Sequence, residues 1–165
     1  MTEQEVTIFN KANVCNGLSP KGYGQTHFAK RDFKAGEEIS RGFGRIVKKQ
    51  TSHCSIQIGQ DKHFVPKKWT GRYWNHSCNP NAYAKTRADG FVSLFALRKI
   101  KKDEEITYAY YMTEFAWGKH TDEITVACKC GEKKCIGKIP SFSELSEKQQ
   151  TNLMKKGICS SYFNR

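Results

Sequence analysis

Short runs that alternate apolar and polar residues recur along the chain, and turn residues separate most of them. Alternation over about four to eight residues is typical of β-strands with one buried face. The pattern predicts strands at residues 5–9, 38–47, 54–58, 63–65, 82–87, 91–98 and 105–110. The run at 91–97 is apolar on both faces, so we expect it in the interior of the protein.

Two turns and one helix complete the predicted elements. Gly and Asp residues at 59–61 and at 88–90 predict hairpin turns between neighbouring strands. A helix is predicted over 144–156, with Ser143 as its N-cap, acidic residues in its first turns and lysines in its last. Gly157 would end it in the left-handed conformation. We therefore expect one mostly β domain with a short C-terminal helix.

The composition indicates a folded, basic protein. The chain has 165 residues, 38% of them hydrophobic and 12% aromatic, which excludes a disordered chain. Its formal net charge of +12 suggests an acidic partner, nucleic acid first, or simply a basic surface without a ligand. No apolar stretch approaches the ~20 residues that span a bilayer, and the first residues lack the features of a secretory signal. We expect an intracellular protein that makes no membrane contact.

One segment has the opposite charge. Residues 103–123 contain six acidic residues against Lys119 alone, a net charge of −5. This segment predicts either an acidic patch that receives a cationic ligand or peptide, or an ordinary solvated surface.

The cysteines indicate a metal site rather than disulfides. Their number, seven, is odd, and no secretory signal accompanies them. Cys128, Cys130 and Cys135 are spaced so that their thiolates can converge on one tetrahedral ion. A structural zinc site needs a fourth ligand, and spacing alone leaves several candidates: Cys15, Cys54, Cys78, Cys159 and the five histidines.

Three further segments concentrate residues that could carry chemistry. Lys21-Gly22-Tyr23-Gly24 flanks an aromatic residue with glycines, which would allow close backbone approach to a ligand, although an ordinary turn has the same pattern. The run from Arg72 to Asn81 is dense in hydrogen-bonding side chains. The predicted strand Glu105-Ile106-Thr107-Tyr108-Ala109-Tyr110 ends in tyrosines, which most often indicate packing.

In order and spacing, these three segments and the cysteine trio resemble the SET-domain protein-lysine methyltransferases with a post-SET zinc knuckle, of the small stand-alone microbial type. The resemblance extends over residues 20–140. It implies a SET-type β-clip of short sheets in which segments 72–78 and 105–111 form a pseudoknot. The implied divisions are an N-terminal strand and lead-in (1–20), the SET domain (21–112), the post-SET zinc knuckle (113–140) and a C-terminal helical tail (141–165).

The resemblance also implies the ligands. The cofactor would be S-adenosyl-L-methionine, and the fourth ligand of a structural Zn²⁺ would be Cys78. His76 could alternatively serve as a metal ligand or general base, but the resemblance assigns it to the cofactor. The implied cofactor contacts run from the methionine end to adenine: Lys21, Gly22, Tyr23, Arg72, Asn75, His76, Tyr110 and Phe142.

Two tyrosines would carry the catalysis. Tyr110 matches the essential tyrosine of the family, with its hydroxyl near the transferring methyl group. Tyr108 occupies a position where relatives carry phenylalanine or tyrosine, and its hydroxyl predicts mainly mono-methylation. The sequence offers no dedicated side-chain base.

The resemblance predicts an enzyme that methylates a lysine in a histone-like or other basic protein, and a monomer suffices for that chemistry. It would act in the cytoplasm of a bacterium, or in the nucleus if it is eukaryotic or delivered to a host. Two alternatives remain open at this point: a catalytically weak SET-like binding module, and a basic nucleic-acid-binding zinc protein. The presence of Tyr110 together with Asn75 and His76 favours the enzyme over the first alternative, and cofactor binding would separate the enzyme from the second.

Overall fold

The structure is a computed structural model, and it describes residues 1–52, 54–68, 70–117 and 127–164. Short strands dominate it. The α-helices are α1 (Glu3–Asn13) and α2 (Glu147–Lys156), and 3₁₀ turns lie at Tyr110–Met112, Phe142–Glu144 and Ser161–Asn164. The strands are β1 (Val14–Leu18), β2 (Gln25–Ala29), β3 (Glu38–Arg41), β4 (Gly44–Val47), β5 (Ile56–Gly59), β6 (Lys62–Pro66), β7 (Asn75–His76), β8 (Ala82–Thr86), β9 (Val92–Ala96) and β10 (Glu105–Tyr108).

The strands form three small sheets with the orders β1-β2-β10-β7, β3-β9-β8 and β4-β6-β5. This arrangement confirms the prediction of a mostly β protein built from several short sheets. The core lies between them, where Phe33, Ile39, Phe64, Leu94 and Ile106 are almost fully buried. β9 is the central strand of its sheet and is buried along most of its length, as its two-sided apolar sequence predicted.

The predicted strand at 5–9 is wrong, because these residues belong to α1. Thr2 and Glu5 form a capping box, in which each side chain binds the backbone N–H of the other residue. The buried side chains of Val6 and Asn10 are four residues apart, which is helical spacing, whereas Ile8 is exposed. The Asn10 amide also binds the backbone of Arg41 in both directions, so α1 is fixed against β3.

The predicted strand at 38–47 is divided into β3 and β4. The break falls at Gly42, where an added Cβ would lie only 2.7 Å from the Phe64 ring and 2.8 Å from the Val92 carbonyl oxygen. The glycine therefore permits a close crossing over the core. β1 and β2 were not predicted, because their residues show no clear alternation between apolar and polar side chains.

The C-terminal helix begins later than predicted. Its N-cap is Ser146 rather than Ser143, and residues 142–144 form a separate 3₁₀ turn stabilised by a capping box between Ser141 and Glu144. Gly157 ends α2 in the left-handed conformation, as predicted. Both predicted hairpin turns are confirmed between β5 and β6 and between β8 and β9.

The parallel pairing of β7 with β10 positions the candidate site. Thr107 lies opposite Asn75, and Tyr108 lies opposite His76, although the two strands are about thirty residues apart in sequence. The other edge of β10 pairs with β2. These are the segments expected to form the pseudoknot; their threading remains a prediction. Among the described residues, no helix is long and apolar enough to cross a membrane.

Candidate active site and thiol cluster

Asn81 fixes the strand that carries the two tyrosines. It is buried, its side-chain oxygen accepts the Thr107 N–H at 2.9 Å, and its amide donates to the Glu105 carbonyl at 2.7 Å. The polar run at 72–81 therefore satisfies the backbone of β10 from the side. These hydrogen bonds explain how the polar side chain of Asn81 can be buried.

Tyr110 begins the 3₁₀ turn directly after β10 and directs its hydroxyl to the Trp74 carbonyl at 3.2 Å. A phenol that donates to a carbonyl keeps its oxygen lone pairs available as acceptors. The rings of Tyr108 and Tyr110 lie 5.2 Å apart. Burial raises the pKa of both phenols well above the usual value, so both stay protonated in neutral solution.

A cavity of about 380 Å³ opens beside these phenols, a size within the usual range for small-ligand sites. It is lined by Tyr23, Arg72, Asn75, Tyr108 and Tyr110, five of the residues that the sequence analysis singled out. The structure thus brings together residues from three separate segments of the chain. Its other lining residues are Gln25, Gln50, Cys54, Ser55, Ile56, Gly71, Tyr73, Trp74, Glu114, Trp117 and Ile139.

Four other predicted cofactor residues do not line this cavity. The ammonium group of Lys21 pairs with Glu132 at 3.1 Å, and Gly22 adopts a left-handed turn conformation. His76 is buried beside the cavity, between Tyr110 and Cys78. Phe142 is buried in an aromatic cluster, with its ring 4.2 Å from that of Phe163. This position does not support the predicted contact of Phe142 with adenine, which stays a prediction.

The cysteine-rich end of the chain contributes two cavity residues that the sequence analysis missed. The indole N–H of Trp117 donates to the Ile139 carbonyl at 3.0 Å, and both residues line the cavity. They flank the cysteine trio in sequence, which was the available signal. Together they supply an apolar wall where the sequence analysis proposed Phe142.

Two neighbouring buried polar groups, one of them in a cavity-lining residue, lack partners. The hydroxyl of Tyr23 and both carboxylate oxygens of Glu105 accept or donate no hydrogen bond among the described residues. Burial raises the pKa of Tyr23 to about 12, and the nearby charge of Glu105 adds to the rise. Because unpaired buried polar groups are costly, they suit a ligand that brings N–H donors and positive charge.

The four thiols of Cys78, Cys128, Cys130 and Cys135 lie within 4.8 Å of one another. The Cys78 sulfur is 3.7 Å from that of Cys128 and 4.0 Å from that of Cys135. Four sulfurs bound tetrahedrally to zinc would be about 3.8 Å apart, given a Zn–S bond of about 2.3 Å. The geometry selects Cys78 from the candidates that spacing left open, because the other cysteines and histidines do not join this cluster among the described residues.

The protonation of one thiol also suits a metal ligand. Burial opposes ionisation of Cys130, but hydrogen bonds from the backbone N–H groups of Cys78 and Glu132 outweigh it and lower the pKa to about 7. Cys130 therefore ionises more readily than Cys78 and Cys128, whose pKa values burial raises.

His76 connects the thiol cluster to the tyrosine. Its Nδ1 accepts the backbone N–H of Tyr110 at 3.2 Å, which leaves Nε2 as the protonated nitrogen. Nε2 lies 3.6 Å from the Cys78 sulfur and can donate to it. Burial lowers the pKa of His76 to about 4, so the ring is neutral in ordinary conditions. This arrangement favours an orienting role over direct metal ligation or base catalysis.

The acidic segment does not form an open patch in its described part. Glu104 binds Arg98 and Asn81, Glu105 has a buried carboxylate, and Glu114 is only 7% exposed. Lys119, Asp122 and Glu123 lie outside the described residues. Of the carboxylates within 103–117, only Asp103 is exposed, whereas those of Glu104, Glu105 and Glu114 face internal contacts or the cavity.

Comparisons with known proteins all point to one protein family. The SET domain profile matches residues 28–111. A histone-lysine N-methyltransferase, H3 lysine-36 specific, of Eremothecium gossypii is 32% identical over 71% of this chain and 19% of its own length. A histone-lysine N-methyltransferase of Arabidopsis thaliana is 30% identical over 76% of this chain and 39% of its own length. The chain thus spans well under half the length of these relatives.

A solved structure shares the fold. The crystal structure of KRYPTONITE in complex with mCHH DNA, an H3(1–15) peptide and SAH aligns with a TM-score of 0.61. The alignment covers 78% of this chain and 29% of that chain, at 22% sequence identity.

Proposed function

The chain belongs to the SET-domain family, and on that premise we propose that it transfers a methyl group from S-adenosylmethionine to the side-chain amine of a protein lysine. The observation that carries the proposal is the position of Tyr110. Its hydroxyl is held at a cavity that Tyr23, Arg72 and Asn75 also line, next to the four-thiol cluster. The histone-lysine methyltransferase names of the relatives support this activity.

The proposed cofactor site uses the residues that line the cavity. Tyr23 lines the cavity and offers a hydroxyl to the amino group of the methionine end, and Arg72 and Asn75 line the same space. Trp117 and Ile139 take the adenine-covering role proposed earlier for Phe142. Lys21, Gly22 and His76 remain proposed contacts at the edge of the site. When bound, S-adenosylmethionine supplies a methyl group on an electrophilic sulfonium centre.

The proposed metal is a structural zinc ion held by Cys78, Cys128, Cys130 and Cys135. Four thiolates without an open position are typical of structural zinc sites rather than catalytic ones. The ligand set joins the loop after β7 to the C-terminal knuckle. Zinc would therefore hold Trp117 and Ile139 against the cavity.

The protein would accelerate the reaction mainly through alignment. Direct displacement requires the lysine nitrogen, the methyl carbon and the sulfur to be nearly collinear, and the phenols that line the cavity would orient the lysine amine for it. The Tyr110 oxygen can accept weak hydrogen bonds from polarised methyl hydrogens, because its own proton is committed to Trp74. The neutral phenol of Tyr108 can bind the amine and limit its rotation, which favours mono-methylation.

We propose a histone-like or other basic protein as the substrate class, from the names of the relatives. The net charge of +12 supports an additional contact with nucleic acid, which would dock the enzyme on a nucleoprotein. Salt-dependent binding to a DNA duplex, measured without peptide, tests that second proposal. An affinity for the DNA duplex that does not change with salt concentration would contradict the proposed contact with nucleic acid.

The main test combines binding and turnover. Calorimetry with S-adenosylmethionine measures cofactor binding, and mass spectrometry follows methylation of a panel of lysine peptides that includes an H3(1–15) peptide. We expect Tyr110→Phe to lower turnover by about 100-fold or more while cofactor affinity changes little. Absence of both cofactor binding and methylation would overturn the proposed function, and a fully active Tyr110→Phe protein would overturn the role of this tyrosine.

A further inference from the structure

The cavity contains a carboxyl group that the proposed reaction does not yet use. Glu114 follows the 3₁₀ turn that Tyr110 begins, and it lines the cavity together with Tyr108 and Tyr110. Its backbone is held on both sides, since its N–H donates to the Tyr110 carbonyl at 2.9 Å and its carbonyl accepts the Phe142 N–H at 2.8 Å. The backbone of Glu114 is therefore fixed relative to Tyr110.

The two oxygens of the Glu114 carboxyl group have different surroundings. Oε1 accepts the backbone N–H of Gln57 at 2.9 Å and the Thr113 hydroxyl at 3.2 Å. No described residue donates a hydrogen bond to Oε2. One oxygen thus anchors the group, and the other is left for a ligand that enters the cavity.

The electrostatic surroundings of Glu114 suit a group that exchanges a proton. Burial is the main reason that its pKa is raised to about 7. No described cation forms an ion pair with it. The titratable or charged groups that face it or share its cavity are Tyr23, Cys54, Arg72, Tyr108, Tyr110 and Tyr162.

The phenols of Tyr108 and Tyr110 cannot accept a proton from the substrate. Burial raises the pKa of Tyr108 and Tyr110, so neither phenol takes up a proton from an ammonium group. The substrate, in contrast, enters in the wrong protonation state. A free lysine has a pKa of about 10.4, so only about one in 2,500 is neutral at pH 7. Some group or solvent path must therefore remove the proton.

We propose that Glu114 accepts the proton of the target lysine as that side chain enters the cavity. This inference rests on the proposed function, and it adds a base that the sequence analysis did not find. An N–H bond of the ammonium group breaks, and an O–H bond forms at Oε2. The products are a neutral amine with a free electron pair and a neutral carboxylic acid, so the total charge is unchanged. After product release, the carboxyl group returns the proton to bulk water.

A kinetic experiment tests the base directly. The zinc-loaded full chain is assayed in single turnovers, from about pH 6 to about pH 9, on the peptide of the panel that it methylates fastest. We expect the wild-type rate to fall below a pH of about 7, where Glu114 becomes protonated. Glu114→Gln should react about 100-fold more slowly at pH 7, and its rate should keep rising toward high pH. Glu147→Gln makes the same change on the exposed side of α2, and its rate and pH profile should equal those of the wild type.

A binding experiment separates this role from a structural one. Peptides with lysine or norleucine at the target position are titrated into the wild type and Glu114→Gln, both saturated with S-adenosylhomocysteine. We expect the preference for lysine to fall at least tenfold in the variant, as a double-mutant cycle for a direct contact requires. The wild type should also take up about one proton per norleucine peptide at about pH 8, because a carboxylate beside an alkyl chain is disfavoured. This last measurement does not depend on whether the variant folds.

The outcomes are distinguishable. An active wild type whose Glu114→Gln variant keeps the same pH profile and the same preference for lysine would overturn the inference and leave the proposed function intact. Absence of proton uptake with the norleucine peptide would also overturn the inference. A wild type that methylates no peptide and binds no cofactor would overturn the proposed function, and the inference with it.

Discussion

At the scale of single residues, the phenols of Tyr108 in β10 and Tyr110 in the following 3₁₀ turn have different surroundings. Tyr110 has its proton committed to the Trp74 carbonyl, whereas the ring of Tyr108 is packed 5.2 Å away and almost completely buried. Tyr108 lines the cavity, and we propose that its hydroxyl binds the amine of the lysine and limits how often that lysine is methylated.

We predict that Tyr108→Phe shifts the products from mono-methylation toward di- and tri-methylation. Loss of the hydroxyl leaves room for an already methylated amine to rotate into line with the methyl donor. Mass spectrometry of the peptide products at equal turnover measures the shift. Tyr83→Phe on β8, which removes a hydroxyl away from the cavity, is the matched control. Predominant tri-methylation by the unchanged protein would contradict the prediction.

Short motifs singled out several residues that the fold brings to one cavity, and the cofactor and catalytic roles of these residues stay predictions. Tyr23, Arg72, Asn75 and the two tyrosines belong to such motifs, and they line the same cavity. Glu114 belongs to none. Its anchor, Gln57, is 57 positions away, so only the folded chain brings the carboxyl group to the cavity. Phe142 is buried against Phe163, and its contact with adenine stays a prediction.

At the scale of elements, local signals and tertiary contacts explain which predictions failed. The alternation at residues 5–9 suggested a strand, but the capping box of Thr2 and Glu5 begins a helix there. β1 and β2 have weak strand patterns and form because they pair with each other and, through β2, with β10. The hairpins were predictable, because glycine and aspartate turns lie in the sequence between the strands that they connect.

The four-thiol cluster also acts between elements, since Cys78 follows β7 and the trio lies some fifty residues later. We predict that Cys78→Ser lowers the zinc content and weakens S-adenosylmethionine binding at least tenfold, because the apolar wall of Trp117 and Ile139 loses its attachment. Native mass spectrometry measures the metal, and calorimetry measures the cofactor. Removal of zinc by a chelator should have the same effect on the wild type.

Cys15→Ser is the control for that experiment, because Cys15 is exposed on β1 and lies outside the cluster. A natively purified wild type without metal would contradict the proposed zinc site. A Cys78→Ser protein with full zinc content and unchanged cofactor affinity would contradict the role of Cys78 as a zinc ligand.

At the scale of the whole molecule, one buried histidine couples stability to pH. His27 lies in β2, in the middle of its sheet, and is only 1% exposed. Neither ring nitrogen has a hydrogen-bond partner among the described residues. Burial lowers its pKa to about 4, against about 6.5 in an unfolded chain. Between these values the unfolded chain binds one more proton than the folded chain, so acid favours unfolding.

We predict that His27 lowers the free energy of unfolding by about 2 kcal/mol at pH 5 relative to pH 8, since the pKa difference is about 2.5 units. His27→Leu should remove this dependence and be at least as stable at pH 8, because it also removes two unpaired buried nitrogens. Urea denaturation of both proteins at both pH values measures the effect. Other groups, Glu114 among them, also take up protons in this range, but they are common to the two proteins and cancel in the comparison. Equal loss of stability in the wild type and the variant would show that His27 is not the group that titrates.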